Sequence, residues 1–173
     1  MSGPEPQALA GQVEEKMATH VVPGVAVGVV DADGPRAWGF GVTNVDHPLP
    51  VDPDTVFEIA SITKTMTATV AARLAADGRL DLDAPVRRYL PEFHVADRTV
   101  SATVTVRDLF THTAGWFGEY LAPTGRGDDA IAKGVAAMAG LEQLAPVGVF
   151  SYNNVALIVA GRIIEVTSGR SYR

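Results

Sequence analysis

The chain has 173 residues, of which 47% are hydrophobic and 20% are charged, proportions typical of a globular protein with one domain-sized core. Its formal net charge of −6 is unfavourable for binding nucleic acid or an anionic membrane surface. The chain contains no cysteine, which excludes disulfides, thiolate metal sites and a cysteine nucleophile.

The N-terminal sequence has no basic region followed by an apolar core, and no apolar run approaches the ~20 residues of a membrane span. We therefore expect a cytoplasmic protein, unless a leader has been removed. The four histidines lack metal-ligand spacing, so we expect no metal site.

Predicted elements in the first half of the chain are a helix, a hairpin and a second helix. Apolar residues four apart indicate a helix over residues 5–19. Val25–Val30 and Arg36–Thr43 are rich in β-forming residues, and Asp33-Gly34-Pro35 between them predicts a hairpin turn. The segment Ile62–Asp77 follows, with Gly78 as its stop.

The second half is predicted to be mainly helical. Residues 82–93 indicate a short helix or turns between prolines, and an extended piece precedes a short helix near Val106–Thr111. Residues 121–130 have the composition of a loop. The Ala-rich run Ala130–Leu144 predicts a helix, and a second apolar helix follows, ending near Ser168 and Gly169.

The stretch from Ala60 to Val70 fits two secondary structures. Its alternating threonines are typical of a strand, but that strand would place Lys64 on the apolar face, where an unpaired ammonium is costly. As a helix, Ile62, Met66, Val70 and Leu74 form an apolar stripe at successive fourth positions. The length of the segment and its Ala-rich end also favour the helix.

Ser61 and Lys64 are three residues apart, so on a helix their side chains are neighbours at ~5–6 Å. Both lie in the first turn, where the positive end of the helix disfavours an ammonium and favours the neutral amine. Lys64 can then activate the Ser61 hydroxyl as a base, and the Ser61 backbone N–H can serve in an oxyanion hole. Alternatively, Ser61 is a helix cap and Lys64 a solvated side chain.

A second candidate set lies at the start of the last helix. Tyr152 and Asn154, two residues apart, can point into one cleft, where Tyr152 would deliver a proton to a leaving group. Asn154 would hold Lys64 and a substrate carbonyl through its amide. Alternatively, Asn153 or Asn154 caps the helix and Tyr152 belongs to the core.

The order of three segments, together with the helices and turns in which they lie, indicates a protein family more specifically than either candidate set alone. The segments are residues 57–93 ("FEIASITK…YLPEF"), 105–116 ("TVRDLFTHTAGW") and 146–172 ("PVGVFSYNN…SGRSY"). From about Val25 onward the chain resembles the penicillin-recognising serine hydrolases. It is most similar to class C β-lactamases, D-alanyl-D-alanine carboxypeptidases and family VIII esterases.

This resemblance implies an α+β fold, with an antiparallel sheet flanked by helices and a further helical region. It assigns Ser61 as the acylated nucleophile, Lys64 as the general base, Tyr152 as the proton shuttle and Asn154 as a substrate-binding residue. The middle residue, Asn153, would point away from the cleft with little effect. The implied substrate is a small ester, amide or β-lactam, with no metal and no cofactor.

The family's third motif, Lys- or His-x-Gly on a downstream strand, does not occur after the Tyr motif in the 173 residues. The resemblance therefore implies an N-terminal portion of one catalytic domain, with residues 1–60 carrying the helix and hairpin and 61–173 the mainly helical region. A partner chain or segment would supply the remaining strands. The alternative function is a β-lactam-binding module without turnover, or an inactive remnant.

Overall fold

The computed structural model describes residues 6–120 and 122–172. The chain forms two compact units, Met1–Glu58 and Ile59–Arg173. Six α-helices and two β-strands are assigned within the described residues: α1 (Pro6–His20), β1 (Gly24–Asp31), β2 (Gly34–Gly41), α2 (Ile62–Ala76), α3 (Arg98–Thr103), α4 (Val106–Phe110), α5 (Ala130–Ala136) and α6 (Asn154–Ser168). Short 3₁₀ helices span Val86–Arg88 and Ala137–Gly140.

The first unit consists of α1 and an antiparallel hairpin, as the sequence predicts. Strands β1 and β2 pair from Gly24 opposite Gly41 to Asp31 opposite Gly34. The turn lies one to two residues earlier than predicted, because Gly34 and Pro35 already belong to the ladder. Pro35 opposes Val30 there, an arrangement that a two-stranded hairpin allows because proline is tolerated on an edge strand.

The second unit packs around α6, whose buried residues include Val155, Ala156, Val159, Ala160 and Ile163. Helices α2, α4 and α5 contact α6. The C-terminal end of α6 is a left-handed Gly169, and α2 ends before the left-handed Gly78, so both predicted glycine stops are confirmed.

The apolar stripe predicted on α2 does not form the packed face of that helix. Ile62, Met66 and Val70 remain 58%, 56% and 46% exposed, whereas Leu74 is buried. The buried face instead carries Thr67, Ala71 and Leu74. This face lies in the part of the unit where α2 contacts α6.

Two predictions for the second unit are wrong. Residues 98–103 form helix α3 rather than an extended piece, because the Asp97 carboxylate accepts from the backbone N–H groups of Thr99 and Val100 and caps the helix. The helix predicted over residues 130–144 ends as α-helix at Ala136. Residues 142–144 instead exchange backbone hydrogen bonds with residues 115–117, so they cannot make the hydrogen bonds of a continuing helix.

Within the described residues, no helix is both long and apolar enough to cross a membrane, and no group of histidine, aspartate and glutamate side chains could hold a metal ion.

Candidate active site

Ser61 stands immediately before α2 and does not use its side chain as a helix cap. The residue before it, Ala60, has a φ of 43°, in the left-handed region that a residue with a Cβ rarely adopts. This turn leaves the Ser61 hydroxyl exposed at the start of the helix. Among the described residues, the Ser61 backbone N–H donates to no acceptor, so it is available to a bound oxyanion.

Lys64 and Tyr152 converge on the Ser61 hydroxyl from two different elements. The Lys64 Nζ donates to Ser61 Oγ over 2.9 Å, across one turn of α2. The Tyr152 hydroxyl, 91 residues further along the chain, donates to the same oxygen over 2.7 Å. The Lys64 ammonium also lies 4.9 Å from the centre of the Tyr152 ring. Three of the four site residues predicted from the sequence are therefore in direct contact.

The pKa of Tyr152 lies below its ordinary value, chiefly because the Lys64 ammonium stabilises the phenolate and further because the Ser61 hydroxyl does so. Burial and the negative charge of Glu119 act in the opposite direction. A phenol that ionises more readily is better suited to exchange a proton with Ser61 and Lys64.

We expect an ultraviolet pH titration to show one of the four tyrosines ionising below the ordinary value of about 10. Tyr152→Phe removes that step, and Lys64→Met moves it to higher pH because the stabilising cation is lost. Tyr120→Phe, at an exposed tyrosine, is the control and leaves the step in place. A step that survives in Tyr152→Phe would show that another tyrosine is the perturbed one.

His112 contacts Tyr152 and the residue after it. Its ring lies against the Tyr152 ring, with 4.6 Å between centroids, and its Nδ1 accepts from the backbone N–H of Asn153. Burial, and then the nearby Lys64 cation, hold the pKa of His112 below its ordinary value, which favours the neutral ring that this hydrogen bond requires. The residue has a φ of 58° in the turn after α4.

The motif that contains Tyr152 is bound along its length to residues 116–118. The Asn153 side chain donates to the carbonyl of Trp116, and the backbone N–H groups of Asn154 and Val155 both donate to the carbonyl of Gly118. A Cβ at Gly118 would lie 2.7 Å from the carbonyl oxygen of Tyr152, so only glycine permits this approach.

The two asparagines of the motif have different roles. Asn153 is fully buried and caps α6, since its side-chain oxygen accepts from the backbone N–H of Ala156. Its side chain binds Trp116 and Ala156 rather than Ser61, and so holds the helix start in place. Asn154 is half-buried, and its amide donates to both carboxylate oxygens of Glu119, over 2.9 and 3.0 Å, rather than to Lys64.

Neither Glu119 nor His112 was predicted to belong to the site. The sequence pattern around His112 indicates only a turn, and no periodicity or motif singles out Glu119. Of the aromatic residues nearby, Trp116 is fully buried in the core and Tyr120 is 39% exposed. A cavity of about 450 Å³ elsewhere in this unit, lined by residues such as Phe93 and Val135, contains none of the predicted site residues.

Comparison with known proteins identifies the family of this chain. The model of the Beta-lactamase family matches residues 9–173. The chain belongs to the Beta-lactamase family. Its curated relatives include penicillin-binding protein 4 of Amycolatopsis lactamdurans, which is 41% identical over 155 residues, or 88% of this chain and 40% of that protein. The human serine beta-lactamase-like protein LACTB is 42% identical over 96 residues, or 54% of this chain and 17% of that protein.

Solved structures of this family show the same fold. The octameric penicillin-binding protein homologue from Pyrococcus abyssi superposes with a TM-score of 0.77 at 30% identity, covering 98% of this chain and 40% of that one. The predicted β-lactamase-like fold is therefore confirmed. This chain spans about 40% of the length of the Amycolatopsis and Pyrococcus proteins. Other family members are named as β-lactamases, and one as an esterase.

Proposed function

We propose that this chain carries the nucleophile half of a serine acyl-transfer site that acts on a small ester, amide or β-lactam. The observation that supports this most strongly is the convergence of Lys64 Nζ and Tyr152 OH on Ser61 Oγ. A serine hydroxyl that only capped a helix or faced solvent would not need a cation and a phenol within hydrogen-bond distance.

In the proposed reaction, the Lys64 ammonium first releases a proton to solvent, and the resulting amine removes the hydroxyl proton of Ser61 as Oγ attacks the substrate carbonyl carbon. The Ser61 backbone N–H stabilises the negative charge that develops on the carbonyl oxygen. The bond to the leaving group then breaks, and Tyr152 protonates that group. The phenolate recovers a proton from the Lys64 ammonium, which restores both groups.

The acyl group now rests on Ser61 as an ester, and release requires water. In this step Lys64 takes a proton from the water as its oxygen attacks the acyl carbon. The bond between that carbon and Ser61 Oγ then breaks, and the Lys64 ammonium returns the proton to Oγ. Asn154 is the proposed contact for the acyl part of the substrate, since it lies two residues from Tyr152 at the start of α6. No metal or cofactor takes part in any proposed step.

The direct test is a covalent label. The chain is treated with a fluorophosphonate and with benzylpenicillin, and adduct formation is followed by intact mass. Trypsin cuts after Arg36 and Lys64, and Ser61 is the only serine in the peptide between them, so an adduct on that peptide tests the assignment.

A single adduct on residues 37–64 supports the proposal. An adduct on another peptide, or none with either reagent from a folded chain, contradicts it. The lifetime of the penicillin adduct separates the two functions: an adduct that disappears with time indicates hydrolysis, and one that persists indicates a binding module without turnover.

A further inference from the structure

Glu119 is a negative charge held beside Asn154, the residue proposed to contact the substrate. Its carboxylate accepts from the Asn154 amide, and Asn154 is two residues from Tyr152, whose hydroxyl contacts Ser61. The Glu119 side chain is exposed. Among the described residues, no lysine, arginine or histidine forms an ion pair with it.

The position of Glu119 is fixed by the backbone rather than by its own flexible side chain. The residue directly before it, Gly118, accepts hydrogen bonds from two backbone N–H groups at the start of α6. The close contact of Gly118 with the Tyr152 backbone leaves little freedom for residue 119 to move away from the site. The Asn154 amide then orients the carboxylate, with both oxygens engaged from one side.

Glu119 also has a structural interaction. Its carboxylate lies against Asn154, the first residue of α6, where the positive end of the helix favours a negative charge. A purely structural interaction with the helix would not require the carboxylate to be exposed. Nor would it require the carboxylate to contact Asn154, the residue proposed to bind the substrate. An exposed carboxylate without a cationic partner among the described residues attracts a cation from solution.

We propose that Glu119 is a specificity-determining residue, which selects acyl substrates that carry an ammonium group close to the reacting carbonyl. This inference rests on the proposed function, in which Tyr152 serves the leaving group and Asn154 the part that remains on Ser61. The positive charge therefore belongs to the acyl part. Aminoacyl esters and amides, with a free amino group one carbon from the carbonyl, have this chemistry, whereas acyl groups bearing a carboxylate at that place are repelled.

The test compares two 4-nitrophenyl esters of nearly equal shape, trimethylammonioacetate and 3,3-dimethylbutanoate, which differ in having a quaternary nitrogen or a carbon. The release of 4-nitrophenol measures acylation even when turnover is slow. The two esters differ in intrinsic reactivity, so the quantity of interest is the ratio of the two acylation rates in each variant.

We expect Glu119→Gln to lower the cationic-to-neutral ratio by about 10-fold, the size expected for loss of one unit charge a few ångströms from another at a partly exposed site. Glutamine keeps an oxygen that can accept from Asn154, so the orientation of the amide is retained. Glu92→Gln, the same change at another exposed glutamate, leaves the ratio unchanged. In the native chain, added salt also lowers the ratio, because it screens the attraction.

The outcomes separate this inference from the proposed function. A purely structural role of Glu119 changes both rates by the same factor, so an unchanged ratio in Glu119→Gln, with both esters still acylating Ser61, overturns the specificity role alone. Failure of both esters to acylate the native chain overturns the proposed function, and the specificity role with it.

Discussion

Replacing Ser61 with alanine is expected to abolish the fluorophosphonate adduct, and replacing Lys64 with methionine to slow its formation by about 10²–10⁴-fold. Alanine removes the oxygen on which Lys64 and Tyr152 converge. Methionine keeps much of the length of the lysine side chain but cannot accept a proton from Ser61. The measurement is the rate constant of adduct formation, determined by intact mass.

Lys133→Met is the matched control for the lysine change. Lys133 lies on α5, where it is exposed and forms an ion pair with Asp129, so its replacement removes a charge without touching Ser61. The control is expected to acylate at the native rate. Native-rate acylation by Lys64→Met would show that another group removes the Ser61 proton, and an adduct on Ser61→Ala would show that the nucleophile lies elsewhere.

The part of the site that could be predicted from residues alone is the part set by local geometry. Ser61 and Lys64 meet because positions three apart on a helix are neighbours, and their 2.9 Å contact needs nothing from the rest of the chain. The contact with Tyr152 spans 91 residues, and no periodicity encodes such a distance. The resemblance to a known family supplied that expectation.

Glu119 and His112 escaped prediction for the same reason. Each reaches the site through turns bound to the start of α6, and the left-handed backbone of His112 is a conformation that a residue with a Cβ adopts only in a particular tertiary setting. The sequence contains the residues but not the hydrogen bonds between distant segments that place them.

The incorrect predictions in the fold arose where a distant or capping contact overrides propensity. The β-branched run in α3 indicates a strand, but the Asp97 cap and the burial of Val100 favour a helix. The Ala-rich run after Asp129 indicates a long helix, but its end pairs with residues 115–117. The long helices α2 and α6 were predictable because both are long segments rich in helix-forming and apolar residues that end at a glycine.

The second large effect is expected at Asn153, whose side chain joins two buried backbone groups. Its oxygen accepts from Ala156 at the start of α6, and its nitrogen donates to the carbonyl of Trp116 over 2.9 Å. Asn153→Ala removes a helix cap, at a cost of about 0.5–2 kcal/mol, and leaves that carbonyl without its donor, at a cost of about 1–3 kcal/mol. We therefore expect the free energy of unfolding to fall by roughly 2–4 kcal/mol.

Urea unfolding followed by tryptophan fluorescence measures this loss, and the midpoint is expected to fall by about 1–2 M. Asn154→Ala is the matched control. Among the described residues its amide binds the exposed Glu119 carboxylate alone, so its loss leaves the cap and the Trp116 carbonyl intact. Asn153→Ser is expected to fall between the two, because a hydroxyl can replace the cap but is too short to reach Trp116 as well. Equal midpoints for Asn153→Ala and Asn154→Ala would show that the buried amide does not stabilise this junction, and that the segment carrying Tyr152 is held to residues 116–118 by its backbone hydrogen bonds alone.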